Sequence, residues 1–238
     1  MFSRKITLLV FALVFSACAS APPPAEYKAT KGTQKPYKID GKWYTPVASS
    51  HGFQETGLAS WYGRDFHGKK TSNGETYNMH AMTAAHKTLP MNTYVKVTRL
   101  DDGRETVVRV NDRGPFVSGR IIDLSFSAAK ELGIDIQGTA KVRITALGSK
   151  SGDKLVTSDY SRGNFYIQVG AFTVKANAVR LRERLARDYG GAIIREFFND
   201  GRTFYRVRIG PLAGAARAEK LLGRVAGEGL GTPFIVGE

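Results

Sequence analysis

Two carboxylates lie close together in β-patterned sequence near the middle of this chain. Asp112 ends one alternating run just before Gly114-Pro115, and Asp123 lies in the next apolar run. A third acid, Glu75, and an imidazole, His86, lie upstream. Paired carboxyl groups with a neighbouring imidazole are the groups that glycosidic-bond cleavage uses. The sequence therefore predicts a site that either cleaves a sugar polymer or only holds one.

Each of these residues has a catalytic and a structural interpretation. Asp112 is the first candidate for a general acid/base, since a loop after its strand presents it to a cleft; the alternative is that it caps the turn or pairs with Arg113. Glu75 lies in a glycine-flanked loop and is either a substrate-contacting acid or an ordinary solvated one. His86 either orients a carboxylate, hydrogen-bonds the sugar, or is a satisfied structural histidine.

Asp123 is the least secure of the catalytic candidates, because it could equally cap the helix that begins near Phe126. His67 and His80 are weaker candidates still. No His, Cys and Asp cluster has metal-ligand spacing and no phosphate-binding loop is present, so we expect neither a metal nor another cofactor.

Short strands and turns fill residues 56–148. Clean alternation predicts strands at 94–100 and 105–110 around an Asp-Asp-Gly turn, and a last strand at 141–147. Ser125 is placed to cap a short helix, 126–132, that Gly133 ends. Many short strands with one helix indicate a small β-barrel.

After a polar linker, 149–160, residues 161–238 have the order βαββαβ, which predicts a two-layer α/β domain. Alternation places Phe165, Ile167 and Val169 on one face of its sheet. The other face is expected to be open and to carry side chains that hold sugar hydroxyls, acetamides and carboxylates; the structural alternative is a solvated outer face. These candidate glycan-binding residues are Tyr166, Gln168, Arg206 and Arg208.

The N-terminus indicates export. Arg4 and Lys5 precede an apolar run, 6–15, which is typical of a signal peptide over residues 1–17. Cys18, the single cysteine, follows small residues as in a bacterial lipoprotein box, although Phe15 stands where leucine is usual. The alternative is an ordinary signal peptide with a chance cysteine. Residues 18–55 then read as a lipidated cysteine and a flexible tether, with Tyr37, Trp43 and Tyr44 as candidates for local docking.

The net charge of +14 favours an anionic partner. Export argues against nucleic acid, even though the βαββαβ order is also that of RNA-binding modules. Cell-wall glycan fits better, because N-acetylmuramic acid that has lost its peptide carries a free lactyl carboxylate.

These segments together resemble the rare lipoprotein A family, the septal lytic transglycosylases of Gram-negative bacteria. The resemblance rests on residues 57–63, 74–90, 108–125, 165–172 and 205–211. It implies a six-stranded double-psi β-barrel at 56–148 and, at 161–238, a SPOR domain of the RNP-like βαββαβ type that binds peptide-stripped septal glycan. Asn78 departs from the pattern, since some members have Asp there.

The resemblance further implies the chemistry and the location. The muramic C6 hydroxyl attacks C1 without water and leaves a 1,6-anhydro end, and one carboxyl of raised pKa serves as acid and then base. Ala19, in place of Asp, implies delivery to the outer membrane, with the lipid on Cys18 in the inner leaflet and the protein in the periplasm. One alternative is a non-catalytic, expansin-like wall-binding scaffold, since expansin-type barrels carry an acid in a motif like that of Asp123. Another is a simple hydrolase.

Overall fold

The structure is a computed structural model that describes residues 32–151, 154–156, 164–199 and 201–237. The signal peptide, Cys18 and the first part of the predicted tether lie outside this range. No helix within these ranges is long and apolar enough to cross a bilayer. The strands are β1 (Tyr37–Ile39), β2 (Lys42–Tyr44), β3 (Gln54–Trp61), β4 (Thr83–His86), β5 (Thr93–Arg99), β6 (Glu105–Asp112), β7 (Arg120–Leu124), β8 (Ala140–Ser151), β9 (Lys154–Val156), β10 (Asn164–Phe172), β11 (Ala192–Asn199), β12 (Arg202–Ala213) and β13 (Phe234–Gly237). The α-helices are α1 (Phe126–Leu132), α2 (Lys175–Tyr189) and α3 (Ala215–Val225).

Strands β3 to β8 form a closed barrel. Their order is β3-β7-β4-β6-β5-β8, and β3 closes the ring by pairing with β8. Two of the pairings, β3 with β7 and β4 with β6, are parallel. Alternation fills the interior: Val95 and Val97 of β5 and Val108 and Val110 of β6 are all fully buried. The predicted six-stranded barrel is therefore confirmed.

The predicted helix α1 is also confirmed, together with both of its ends. The Ser125 side chain accepts a hydrogen bond from the Ala128 amide at the N-terminus. Gly133 ends the helix in the left-handed conformation, at φ 70°. Asp123 does not cap this helix.

Residues 164–237 form the predicted βαββαβ domain. The sheet order is β11-β12-β10-β13, and α2 and α3 pack on one face of it. Phe165, Ile167, Val207 and Ile209 lie in the resulting core, as alternation predicts.

The two domains share one sheet, because β13 pairs with barrel strand β3. Phe234 lies opposite Glu55, and Ile235 lies opposite Gln54. Phe53 is fully buried at this junction, with its ring centroid 5.0 Å from that of Phe234. The barrel and the C-terminal domain are thus joined by backbone pairing and by aromatic packing.

Residues 32–55 are ordered rather than a flexible tether, and Tyr37, Trp43 and Tyr44, the candidates for local docking, do pack on the domains that follow. Strands β1 and β2 form a hairpin, and Trp43 packs edge-on against Phe204 at a centroid distance of 5.9 Å. The Arg202 guanidinium lies 4.7 Å from the Trp43 ring centroid. The aromatic side chains of this segment have no core of their own, so they dock on the domains that follow.

The linker predicted at 149–160 is also partly structured. Strand β8 continues to Ser151 and pairs with β9 as an antiparallel hairpin. Sequence analysis missed this extension of β8 because the stretch is polar. Its strand pairing is made by backbone hydrogen bonds, which do not require apolar side chains.

The expectation of an open sheet face in the C-terminal domain is wrong as well. Tyr166, Gln168, Arg206 and Arg208 are each 5–7% exposed. Arg206 donates to the Pro46 carbonyl at 3.0 Å, and Arg208 donates to the Gln168 side-chain oxygen at 3.2 Å. Alternation identified the face correctly, but the N-terminal segment and the barrel cover it.

We expect Arg206→Ala to lower the free energy of unfolding by about 1–3 kcal/mol, because it leaves the buried Pro46 carbonyl without its charged donor. Urea unfolding of the full chain measures this loss. Arg187→Ala, which removes an exposed arginine of α2, is the control and is expected to have little effect. Equal stability of the two variants would contradict the docking role of Arg206.

Candidate active site

The barrel topology brings Asp112 and Asp123 to the same end of three adjacent strands. Strand β4 lies between β6 and β7, and its residue Ala85 is the register partner of both Asp112 and Asp123. Adjacent strands are about 4.8 Å apart, so the two acid Cα atoms lie roughly 10 Å apart. The register therefore places both acids at one end of the barrel.

Asp112 is held by four hydrogen bonds. Its Oδ1 accepts from the Ser72 amide at 2.8 Å, the Ser72 hydroxyl at 2.5 Å and the Arg113 amide at 2.7 Å. Its Oδ2 accepts one hydrogen bond, from the Tyr62 hydroxyl at 3.1 Å. Oδ1 is thus fully used in positioning, and Oδ2 retains capacity for a further partner.

Tyr62 connects the two carboxylates electrostatically. Burial, followed by the negative charges of Asp112 and Asp123, raises the pKa of Tyr62 well above its usual value. Its hydroxyl therefore stays protonated and donates to Asp112. Its ring packs against Phe66 and Tyr77, which fixes its direction.

Asp123 is the more deeply placed acid, at 7% exposure. The Ser60 hydroxyl donates to its Oδ1, and the Arg120 guanidinium lies 3.3 Å from its Oδ2. Burial raises the pKa of Asp123, because it outweighs the opposing effects of Ser60 and Arg120. The two acids thus have different surroundings, since Asp123 is buried and Asp112 is partly exposed.

Glu75 is bound on both carboxylate oxygens. Arg109 donates to Oε1 and Oε2 at 2.8 Å each, Asn73 donates to Oε1 at 2.9 Å, and Asn111 donates to Oε2 at 3.0 Å. These donors, Arg109 first, lower the pKa of Glu75 to about 2. The carboxylate of Glu75 is thus hydrogen-bonded within the protein although its side chain is 40% exposed, and spacing alone could not show the arginine that binds it.

Glu75 instead positions the loop that holds Asp112. Its Asn73 partner is joined to the Thr71 hydroxyl at 2.7 Å, and the Asn73 amide donates to the Asn111 carbonyl. Ser72, between Thr71 and Asn73, makes the two hydrogen bonds to Asp112. A chain of contacts therefore runs from Arg109 through Glu75 to Asp112.

His86 is buried, at 1% exposure, and does not face the two acids. Its Nδ1 accepts from the amides of Thr88 and Leu89, so Nε2 carries the proton and donates to Glu55 at 2.9 Å. Burial holds the pKa of His86 below its ordinary value. Both ring nitrogens of His86 are hydrogen-bonded inside the protein, so the expected hydrogen bond from His86 to a sugar is wrong for this structure. The carboxylate that His86 orients is that of Glu55.

The other histidine candidates lie on the exposed loop before β4. The rings of His67 and His80 contact each other at a centroid distance of 6.1 Å, and His67 accepts from the Met79 amide. Asn78 accepts from the His80 amide and so serves as a turn residue. In the described part of the chain, no group of three His, Cys, Asp or Glu side chains is arranged to hold a metal ion.

Sequence reasoning missed three groups that complete the site: Tyr62, Ser60 and Ser72. Ser60 and Tyr62 lie two residues apart at the end of β3, and the Tyr62 amide donates to the Leu124 carbonyl beside Asp123. The Ser-Trp-Tyr run was visible in the sequence, but only the parallel pairing of β3 with β7 shows that it reaches the acids.

Two family models match this chain. A double-psi β-barrel family described as "Lytic transglycolase" matches residues 54–144. The SPOR domain matches residues 161–237. The two matches coincide with the barrel and with the βαββαβ domain.

Curated relatives match across both domains. The chain is 50% identical over 184 residues to "Endolytic peptidoglycan transglycosylase RlpA" of Campylobacter jejuni, covering 69% of this chain and 67% of that protein. A Helicobacter pylori protein of the same name is 44% identical over 71% of this chain and 61% of its own length. One from Vibrio cholerae is 42% identical over 86% of this chain and 77% of its own length. The chain thus spans about two thirds of the first two relatives.

We expect Glu75→Gln to lower stability at neutral pH by about 1 kcal/mol or less, because the Glu75 side chain is 40% exposed and its ion pair is partly screened. A lowered pKa in the folded state gives a contribution that is complete above the ordinary value of 4.5 and is lost as the pH falls toward about 2. Urea unfolding of both proteins between about pH 6 and pH 3 measures the difference. A difference that stays constant over this range would contradict the ion pair.

Proposed function

This chain belongs to the RlpA family, and on that basis we propose that it is an endolytic peptidoglycan transglycosylase. It cleaves the bond between N-acetylmuramic acid and N-acetylglucosamine in peptide-free glycan strands and leaves 1,6-anhydro ends. The observation that carries this proposal is the pair Asp112 and Asp123, brought to one end of the barrel by β4, with the Tyr62 hydroxyl hydrogen-bonded to Asp112.

In this reaction a carboxyl group donates one proton to the leaving oxygen and later accepts one from the attacking hydroxyl. A protonated carboxyl group donates its proton to the glycosidic oxygen as the C1–O bond breaks. The muramic C6 oxygen then forms a bond to C1, and its proton returns to the carboxylate. The acid is regenerated and no water is consumed, so a single carboxyl group is sufficient.

Asp112 is our choice for this acid/base. Its exposure is intermediate, whereas Asp123 is buried. Its Oδ1 is held by Ser72 and Arg113, which fixes the direction of Oδ2, the oxygen with capacity for substrate. The Tyr62 hydroxyl beside Oδ2 stabilises the carboxylate once the proton has left.

The remaining predicted catalytic residues position Asp112 or stabilise the barrel around it. Asp123 is buried, accepts a hydrogen bond from Ser60 and lies beside Arg120, so it supports this end of the barrel next to Asp112. Glu75 is a positioning residue that holds the Ser72 loop. His86 is a positioning residue of the barrel, where it pairs with Glu55.

We further propose that the SPOR domain retains the protein on peptide-free glycan at the division septum. Such retention raises the local concentration of strands near the barrel. Because Tyr166, Gln168, Arg206 and Arg208 are covered here, they could contact glycan only after residues 43–54 move away. Lipidation of Cys18 and anchoring in the outer membrane complete the proposal and rest on the N-terminal sequence.

We expect Asp112→Asn to abolish the formation of anhydro-ended products from peptide-free glycan strands, a loss of at least about 100-fold, since the amide cannot exchange the proton. Mass spectrometry of the products measures this. Asp188→Asn, at an exposed acid of α2, is the control and is expected to keep wild-type activity. Asp123→Asn is expected to retain part of the activity, because Asp123 is buried and the proposed proton transfer uses Asp112.

Three outcomes would contradict parts of this proposal. Wild-type turnover by Asp112→Asn would reassign the acid/base. Products with ordinary reducing ends would indicate a hydrolase. Intact strands that are nevertheless bound by the wild-type protein would favour the non-catalytic scaffold.

A further inference from the structure

A cavity of about 300 Å³ lies beside Asp112, between the N-terminal segment and the barrel. One wall is formed by Gly32, Thr33, Lys35, Pro36, Tyr37 and Ile39, and the other by Ser72, Arg113 and Phe116. Ser72 joins the cavity to the proposed acid/base, because its hydroxyl donates to Asp112. Residues 32–39 lie outside both matched family regions, 54–144 and 161–237.

The N-terminal wall is fixed in place by hydrogen bonds to the barrel. Arg113 donates to the Thr33 carbonyl at 2.6 Å, and the Tyr37 hydroxyl donates to the Lys87 carbonyl at 2.7 Å. Arg113 also donates to the carbonyls of His86 and Leu89. The cavity is therefore formed before any ligand arrives, which reduces the entropy cost of binding.

Aromatic rings line the side of the cavity near the end of β6. Tyr37 and Phe116 meet edge-on with their centroids 6.1 Å apart, and Tyr44 supports both, stacked on Tyr37 at 5.4 Å and tilted against Phe116 at 5.3 Å. Phe116 is 37% exposed. An exposed ring on a braced aromatic cluster offers a flat apolar face, the complement of the apolar face of a pyranose ring.

The cavity also has a positive rim. Lys35 and Arg113 both line it. The Arg113 guanidinium donates to neutral carbonyl oxygens, which do not cancel its charge, whereas the nearby Asp112 offsets part of it when ionised. The cavity is thus suited to a ligand that combines an apolar ring face with a carboxylate.

We propose that this cavity is a saccharide subsite that binds an N-acetylhexosamine residue carrying a lactyl carboxylate, next to the bond cleaved at Asp112. Phe116 and Tyr37 contact the sugar ring, and Lys35 and Arg113 attract the carboxylate. The N-terminal segment is thereby part of the substrate groove. This proposal rests on the proposed function for the identity of the glycan.

The test measures binding in the full chain carrying Asp112→Asn, so that turnover does not interfere. Isothermal titration calorimetry compares two probes of equal length: a peptide-free glycan oligosaccharide with lactyl groups and a chitooligosaccharide without them. Phe116→Ala is expected to weaken binding of both probes by about tenfold, as for the loss of one aromatic anchor. Lys35→Ala is expected to weaken only the binding of the lactyl-bearing probe, by about threefold to tenfold.

Matched controls exclude nonspecific effects. Phe198→Ala removes a phenylalanine that is 62% exposed on the C-terminal domain, and Lys38→Ala removes a lysine of the same hairpin that lies over Trp43 outside the cavity. Both are expected to leave the Kd unchanged.

The outcomes separate the subsite from the proposed reaction. Unchanged affinity in Phe116→Ala and Lys35→Ala would overturn the subsite, even if the wild-type protein forms anhydro ends. Weakened binding in these variants, together with a wild-type protein that forms no anhydro ends, would support the subsite and overturn the transglycosylase activity.

Discussion

The position of β4 between β6 and β7 is the constraint on which the site depends. It makes Ala85 the neighbour of both Asp112 and Asp123 and fixes their separation through backbone hydrogen bonds. Parallel pairing of β3 with β7 then brings Ser60 to Asp123, and the Tyr62 hydroxyl, just beyond the end of β3, reaches Asp112. Because backbone pairing sets the positions of these residues, the loops only orient individual carboxylate oxygens. The Ser72 loop does this by hydrogen-bonding Oδ1 of Asp112.

The N-terminal segment links the two domains to this site. Its Trp43 docks on the C-terminal sheet, its Phe53 fills the junction with Phe234, and its Tyr37 reaches the barrel near Phe116. Covering the sheet face buries Arg206 and Gln168, and the same segment completes a cavity beside Asp112. One stretch of polar and aromatic sequence thus covers this sheet face and forms one wall of the cavity.

The elements of the fold could be predicted from sequence wherever periodicity or a cap decides them. Alternation identified β5, β6 and the two faces of β10, and Ser125 and Gly133 marked the ends of α1. Local docking of Tyr37, Trp43 and Tyr44 could be suspected from their aromatic character, but no local pattern shows which surface these rings will meet. The same limit explains the error over the exposed sheet face, because alternation separates two faces but does not show what covers either of them.

The acids of the candidate site could be predicted from the sequence, but the residues that hydrogen-bond them could not. Asp112 and Asp123 stand at recognisable strand positions. The partner of Glu75 is Arg109, 34 residues away, and the partner of Asp112 is Ser72, 40 residues away. These long-range hydrogen bonds form only when the barrel folds. They decide whether a carboxylate is available to substrate or positions a loop. His86 shows the same effect, because its partner Glu55 comes from a different strand.

A structure of the full chain carrying Asp112→Asn with a bound peptide-free glycan oligosaccharide tests the central claim most directly. The account predicts that a glycosidic oxygen lies within hydrogen-bond distance of the residue 112 side chain, on the side of Oδ2, with the adjoining sugar against Phe116. A glycan whose glycosidic oxygens approach Asp123 or Glu75 instead, or one that binds away from this end of the barrel, would contradict it.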